Sequence, residues 1–192
     1  MGVGLIILIA LLAIAALAVL LIFNRMVSRR NAVDNSWAQI DAALQRRHDL
    51  VPSLVEAVKG YAKHERETFE STTRARAGAE KASGPPQQAA AEGTLEAAIG
   101  RLMVVAEQYP ELRASENFIK LQQQLAETED QIQITRRVYN DTVQTYNTLI
   151  QIFPNSVIAG AFKFEPREFY DAPKESEATP EVSFEKEAEK PA

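Results

Sequence analysis

Two groups of polar residues have the types and spacing for chemistry. The first is Arg46-Arg47-His48-Asp49, just ahead of Pro52. The second is Arg136-Arg137 with Tyr139-Asn140 and, one heptad later, Tyr146-Asn147. Residues seven apart share a helix face, so the two Tyr-Asn pairs stack on one side. The set Arg46, Arg47, Asp49, Arg136, Tyr139, Asn140, Tyr146 and Asn147 can be read two ways. It can line a polar pocket for a ligand or partner, which requires the groups to converge on an open cavity. Or it can supply interhelical hydrogen bonds and ion pairs that fix the register of a bundle, which is the preferred reading.

Other catalytic patterns are missing. His48 and His64 are the only histidines, and neither lies in an H-E-x-x-H pattern or beside a carboxylate at ligand spacing. Both are expected to be solvated or partly packed. The chain has no cysteine, which excludes thiolate metal sites, a Cys nucleophile and disulfides. Its eight glycines are scattered and form no phosphate-binding loop. No serine sits in G-x-S-x-G. The residues point to no catalytic set, no metal and no cofactor.

Both polar groups fall on helical patterns. From Asn31 to about Lys81, Val33, Trp37, Ile40, Leu44, Val51, Leu54, Val58 and Tyr61 recur with 4-3 spacing, the seam of a bundle helix. Pro52 interrupts it. Either Asp49 caps a new helix there or one helix runs on with a kink, and the unbroken phase of the seam favours the second. Residues 78–93, with Gly84-Pro85-Pro86 and an Ala/Gln run, read as a surface linker. Thr94 can then cap a short helix that ends at Tyr109-Pro110. Ser115 opens a long helix with the seam Phe118, Leu121, Leu125, Thr128, Ile132, Thr135, Tyr139, Thr142, Tyr146, Leu149 and Phe153, stopped by Pro154. A short helix and an aromatic strap through Phe162, Phe164, Phe169 and Tyr170 should fold back on the bundle.

Arg47 occupies a seam position where an apolar residue belongs. A buried guanidinium needs an acid and further acceptors for its five donors. Glu129, Asp130 or Asp141 could supply the acid, and Tyr139 or Asn140 a hydrogen bond. The alternative is a rotated helix with Arg47 reaching water along its own stem.

Ahead of the bundle, Val3 to Phe23 holds 21 residues with no charge and no proline, fifteen of them Val, Leu, Ile or Phe. As a helix this is about 31 Å long, matching a hydrocarbon core of about 30 Å. Nothing basic precedes it and no small-x-small site follows it, so a transmembrane anchor (1–23) is expected rather than a cleaved signal. Arg25, Arg29 and Arg30 flank its far end, which by the positive-inside rule leaves the N-terminus outside and the body (24–172) in the cytoplasm. The net charge of −5 belongs to the C-terminus. From Glu165 onward nine acidic and four basic residues give −5, and the 17 acidic and 17 basic residues before it cancel. A neutral body argues against a nucleic-acid binder, which needs a basic surface to displace counterions from phosphates. Residues 173–192 are acidic and poor in large apolar side chains, the composition of a disordered tail. The fold class expected is all-α: a membrane helix followed by an antiparallel bundle of three or four long helices.

Several blocks carry a family likeness. They are Trp37-Ala38-Gln39-Ile40-Asp41, Arg46-Arg47-His48-Asp49-Leu50-Val51-Pro52-Ser53-Leu54-Val55-Glu56, Lys59-Gly60-Tyr61-Ala62 and His64-Glu65. Toward the C-terminus stand Tyr109-Pro110, Leu121-Gln122, Arg136-Arg137, both Tyr-Asn pairs, Phe153-Pro154 and Phe162-Lys163-Phe164. From about residue 20 to 170 the chain resembles the LemA family of bacterial membrane proteins. One departure is His48, where the family more often carries tyrosine. The resemblance implies one membrane helix and a helical bundle, and it implies no catalytic activity, because the family is not defined by one.

The functional expectation is a membrane-anchored interaction or scaffold protein facing the cytoplasm, with the lipid bilayer and an unidentified protein as partners. The rival from another class is an accessory subunit of a membrane enzyme such as a protease, or an enzyme using the Arg/Asp/Tyr/Asn group. A third reading, a helix that relays a signal, needs an unbroken helix across Asn24 to Ala32.

Overall fold

The computed structural model describes residues 2–170 and contains six helices and no strand among them. Residues 173–192, expected from composition to be disordered, lie outside the described residues.

Helix α1 runs without a break from Gly2 to Lys59, 58 residues or about 87 Å. Val3 to Leu21 bury nothing against the protein, and this part of α1 is long and apolar enough to cross a membrane. The core of the body starts inside the predicted anchor. Ile22 and Phe23 already pack on it, and Met26 is fully buried.

Pro52 lies within α1, so the continuous-helix reading holds. The proline has no N–H for the carbonyl of His48, four residues back, and a buried carbonyl without a donor is costly. Arg76 fills the vacancy: its Nε donates to the His48 carbonyl at 2.7 Å. Arg76→Met should therefore cost about 1.5 kcal/mol in the natural chain. It should cost clearly less on a Pro52→Ala background, where the helix closes its own bond. Equal costs in a denaturation double-mutant cycle would refute this coupling.

The first seam ends earlier than its periodicity suggests. After Lys59 the chain turns, leaving Tyr61 exposed and burying Ala62 instead. Helix α2, Arg66–Ala79, returns along α1. The linker expected over 78–93 is not a loop. Only residues 80–84 are non-helical, and α3 spans Pro85–Glu107. Gly84, at φ 80°, makes the turn, and Pro85 sits at the first helical position, where its missing N–H costs nothing. Thr94 is no cap; its hydroxyl bonds the Ala90 carbonyl at 3.1 Å inside the helix. One further turn, α4 (Pro110–Arg113), leads to α5, Glu116–Gln151. Val143, not Thr142, continues the second seam, and Phe153 is 83% exposed. Helix α6, Asn155–Ala161, follows. Lys163 takes a left-handed φ of 56°, and Phe164 N–H bonds the Ala159 carbonyl at 2.9 Å. This closes the helix end and turns residues 164–170 back along α5.

The result is an up-down-up-down bundle of α1, α2, α3 and α5. Its main pairings are α1 with α5 and α2 with α3. The core is in two parts. A membrane-proximal part holds Met26, Val33, Ile40, Leu44, Ile132, Tyr139, Val143, Tyr146, Phe164 and Tyr170. A distal part holds Val51, Leu54, Val58, Phe69, Leu95, Leu102, Leu112 and Phe118. On α1 the change occurs between Leu44 and Val51, which leaves Arg47 and His48 between the two.

Candidate functional site

Arg47 is 2% exposed and does not reach water. Its Nη1 donates to Glu92 Oε2 at 3.0 Å, and its Nη2 pairs with Glu129 Oε2. Glu129 is one of the acids expected from the sequence. Glu92 is not, because it lay in the stretch read as a linker. Glu92 is itself 4% exposed and fully engaged. Its Oε1 meets His48 Nε2 at 2.7 Å and accepts from Gln88 Nε2 at 2.9 Å. The same Gln88 amide donates to the Ala79 carbonyl at 3.1 Å, and Gln133 donates to Glu129 at 3.0 Å. The layer thus ties α1, α3 and α5 together and holds the end of α2. Two carboxylates flank one guanidinium, and each has additional donors, the condition under which buried ions are tolerated.

Arg136 borders this layer. Its guanidinium lies 5.1 Å from the centroid of the Tyr170 ring, and its Nε is buried with no hydrogen-bond partner among the described residues. Burial first, then the charge of Glu92, pushes the Tyr170 phenol up to about 12. A tyrosine raised in the folded state stabilises fully below its unfolded value of about 10, and that contribution is lost as pH climbs toward the folded value. Tyr170→Phe should accordingly flatten the loss of stability between about pH 10 and 12. Unchanged alkaline melting curves would count against a buried phenol.

The Tyr-Asn pairs do not reach the charged layer. They clasp the strap. Asn140 donates through its amide to the Tyr170 carbonyl at 3.2 Å and accepts from Tyr170 N–H at 2.9 Å. Asn147 does the same with Arg167, at 2.9 and 2.8 Å. Tyr139 and Tyr146 donate to the carbonyls of Glu168 and Glu165, at 2.8 and 3.0 Å. Burial raises both phenols above the ordinary tyrosine value. The expected face is correct, but its partner is backbone rather than a neighbouring helix.

Arg46 and Asp49 belong to neither arrangement. Arg46 is exposed, 3.8 Å from Glu127, and Asp49 accepts from Gln45 at 2.8 Å on the surface. His64 is exposed as expected, whereas His48 is 4% exposed and central to the layer. Beside the layer is a cavity of about 100 Å³ lined by Arg47, Glu92, Glu129, Arg136 and Tyr170. Ligand sites usually begin near 300 Å³, so this space suits a few waters. Among the described residues no three His, Asp or Glu side chains gather as metal ligands would.

A family model described as the LemA family matches residues 36–184. Magnetosome protein MamQ 2 of Paramagnetospirillum magneticum is 27% identical over 184 residues, covering 82% of this chain and 68% of its own. Protein LemA of Metamycoplasma hominis is 28% identical over 140 residues, covering 71% of this chain and 63% of its own. Magnetosome protein MamQ of Magnetospirillum gryphiswaldense is 24% identical over 193 residues, 83% and 71% respectively. The matched span takes in the charged layer, both Tyr-Asn pairs and the strap, and the chain belongs to the LemA family.

Proposed function

We propose that this protein is a membrane-tethered interaction protein whose helical body is held out on the cytoplasmic side of the bacterial inner membrane. One observation carries the reading. The charged groups that converge, Arg47, His48, Glu92 and Glu129, are paired with one another beside a space of about 100 Å³, and the Tyr-Asn pairs are engaged with strap backbone away from it. The convergence needed for catalysis is present only as a closed, paired layer. A relative named for the magnetosome and a relative named LemA from Metamycoplasma hominis each match this chain over most of its length. That spread supports a reusable anchored module more than one fixed reaction. The three arginines after the span support the cytoplasmic placement.

The distal bundle exposes Val104 on α3 and Ile119 on α5, natural positions for a partner to cover. Photo-crosslinking residues placed there, in intact cells, should give a saturable adduct with one protein at a subset of positions. That adduct should disappear when neighbouring apolar residues become glutamate. No adduct at any position would sink the interaction reading. A rival accessory-subunit role would appear as a membrane enzyme in the adduct whose rate changes on reconstitution with this protein. For topology, a reporter fused after Ala192 should be active in the cytoplasm, and periplasmic activity would reverse the assignment. The unbroken run of α1 through Asn24 to Ala32 also favours the relay reading as a second possibility for how a partner is informed.

A further inference from the structure

The end of the bundle nearest the membrane is unusually apolar on its outside. No charged residue occurs from Thr142 to Phe162. Within that stretch Ile152, Phe153, Val157 and Phe162 are exposed, Phe153 by 83% and Val157 by 64%. Part of this uncharged stretch belongs to the core: Leu149, Ile150, Ile158 and Ala159 are buried. The exposed four are therefore a separate outer face of the turn from α5 into α6.

Their height follows from helix geometry. Tyr139 of α5 packs edge-to-face against Trp37 of α1, with ring centroids 5.4 Å apart. The two helices are antiparallel. Going from Tyr139 to Gln151, where α5 ends, climbs roughly 18 Å, and Phe153 lies two residues further on. The same climb back along α1 goes from Trp37 to Arg25, two residues from Phe23, the last residue of the apolar span. Direct contact confirms the level: the Phe23 ring lies 4.9 Å from Phe162 and 5.6 Å from Phe164. Just below, Arg25, Arg29 and Lys163 are exposed. The headgroup region adds about 5–8 Å to each side of the hydrocarbon core, so the outer face, Arg25 and Lys163 fall within it, and Arg29, about 9 Å past Phe23, reaches it along its own stem.

We propose that the α5–α6 turn is a second membrane contact, seated in the interfacial zone of the bilayer that α1 crosses. Ile152, Phe153, Val157 and Phe162 enter the acyl boundary, and Arg25, Arg29 and Lys163 meet lipid phosphates. Apolar side chains on one side and cations at headgroup depth are the pattern of an interfacial segment. The occupant of this face is lipid because the face continues the surface of the span itself, with Phe23 shared between them. The proposal rests on α1 crossing the bilayer and is independent of any protein partner.

The absence of cysteine makes the test clean. Single substitutions Leu12→Cys, Phe153→Cys, Val157→Cys and Glu107→Cys in the full chain would carry a nitroxide label in phosphatidylethanolamine/phosphatidylglycerol nanodiscs. Glu107 ends α3 at the far end of the bundle and is exposed. Collisions with oxygen and with a neutral nickel chelate report depth. The oxygen-to-nickel ratio at positions 153 and 157 should lie several-fold above that at 107 and approach that at 12. A lipid-like ratio at 12 with water-like ratios at 153 and 157 would overturn the proposal while leaving the span intact. Low accessibility to both reagents at 153 and 157 would overturn it in favour of cover by protein. A water-like ratio at 12 would remove the span and the proposal together. Unaltered helical circular dichroism in each variant guards against misfolding.

Discussion

Glu92→Leu should destabilise the body by about 3–5 kcal/mol, the cost of leaving a buried charge without its partner. Glu92 serves three donors at once: Arg47, His48 and Gln88. Its removal leaves the 2%-exposed Arg47 with Glu129 alone. It also leaves the buried His48 Nε2 unmatched, worth about 1–3 kcal/mol, while Gln88 keeps its bond to the Ala79 carbonyl. Arg47→Met should be damaging for the mirror reason, since two carboxylates would then face each other across a methionine. Replacing Arg47, His48, Glu92 and Glu129 together by Met, Phe, Leu and Leu should come back close to the natural stability, because no charge is stranded. Urea unfolding followed by circular dichroism separates these cases. A Glu92→Leu variant within about 1 kcal/mol of the natural chain would mean that the layer is solvated, contrary to its burial.

The second large effect concerns the strap. Asn140→Ala together with Asn147→Ala removes four hydrogen bonds that hold residues 167 and 170 to α5. At about 0.5–1.5 kcal/mol each the loss is roughly 2–6 kcal/mol. It should be localised. The strap brings Phe164 and Tyr170 into the proximal core, and Tyr170 sits 6.1 Å from Trp37. Trp37 is the only tryptophan, so its emission reports this region alone. The double variant should show red-shifted Trp37 emission and fast amide exchange at Arg167 and Tyr170 while the distal bundle stays protected. Unshifted emission would show that aromatic packing holds the strap without the amides.

Much of this was legible in the residues, and the failures have identifiable causes. The 4-3 seams gave α1 and α5 because their buried faces are long and regular. Arg47 could be singled out because a cation in a seam contradicts its neighbours, and Glu129 could be named, beside Asp130 and Asp141, because it lies on the other long helix. Glu92 could not, since an Ala/Gln/Gly run after Gly-Pro-Pro has the composition of a loop. The overlooked signal was the proline itself: Pro85 directly after a glycine marks a helix start, and Ala89, Glu92, Leu95, Ile99, Leu102 and Ala106 then fall at helical spacing. His48 was passed over because its partner was hidden with Glu92. The Tyr-Asn face was recognised from its heptad spacing, but side-chain types do not say whether an amide will meet a side chain or a backbone. Nor could periodicity tell that Arg76 would answer the carbonyl orphaned by Pro52, a pairing that depends on where α2 returns.

The unbroken α1 turns the molecule into a lever with a fixed arm. From Phe23 to Lys59 the helix extends roughly 54 Å beyond the span. It packs mainly on α5 and also on α2, so the arm does not bend independently of the bundle. A tilt change of about 10°, the kind a thinner or thicker bilayer imposes on a span, would swing the α1–α2 turn sideways by about 9 Å. A rod that passes from lipid into a rigid body thus converts the thickness of its membrane into the position of its far end.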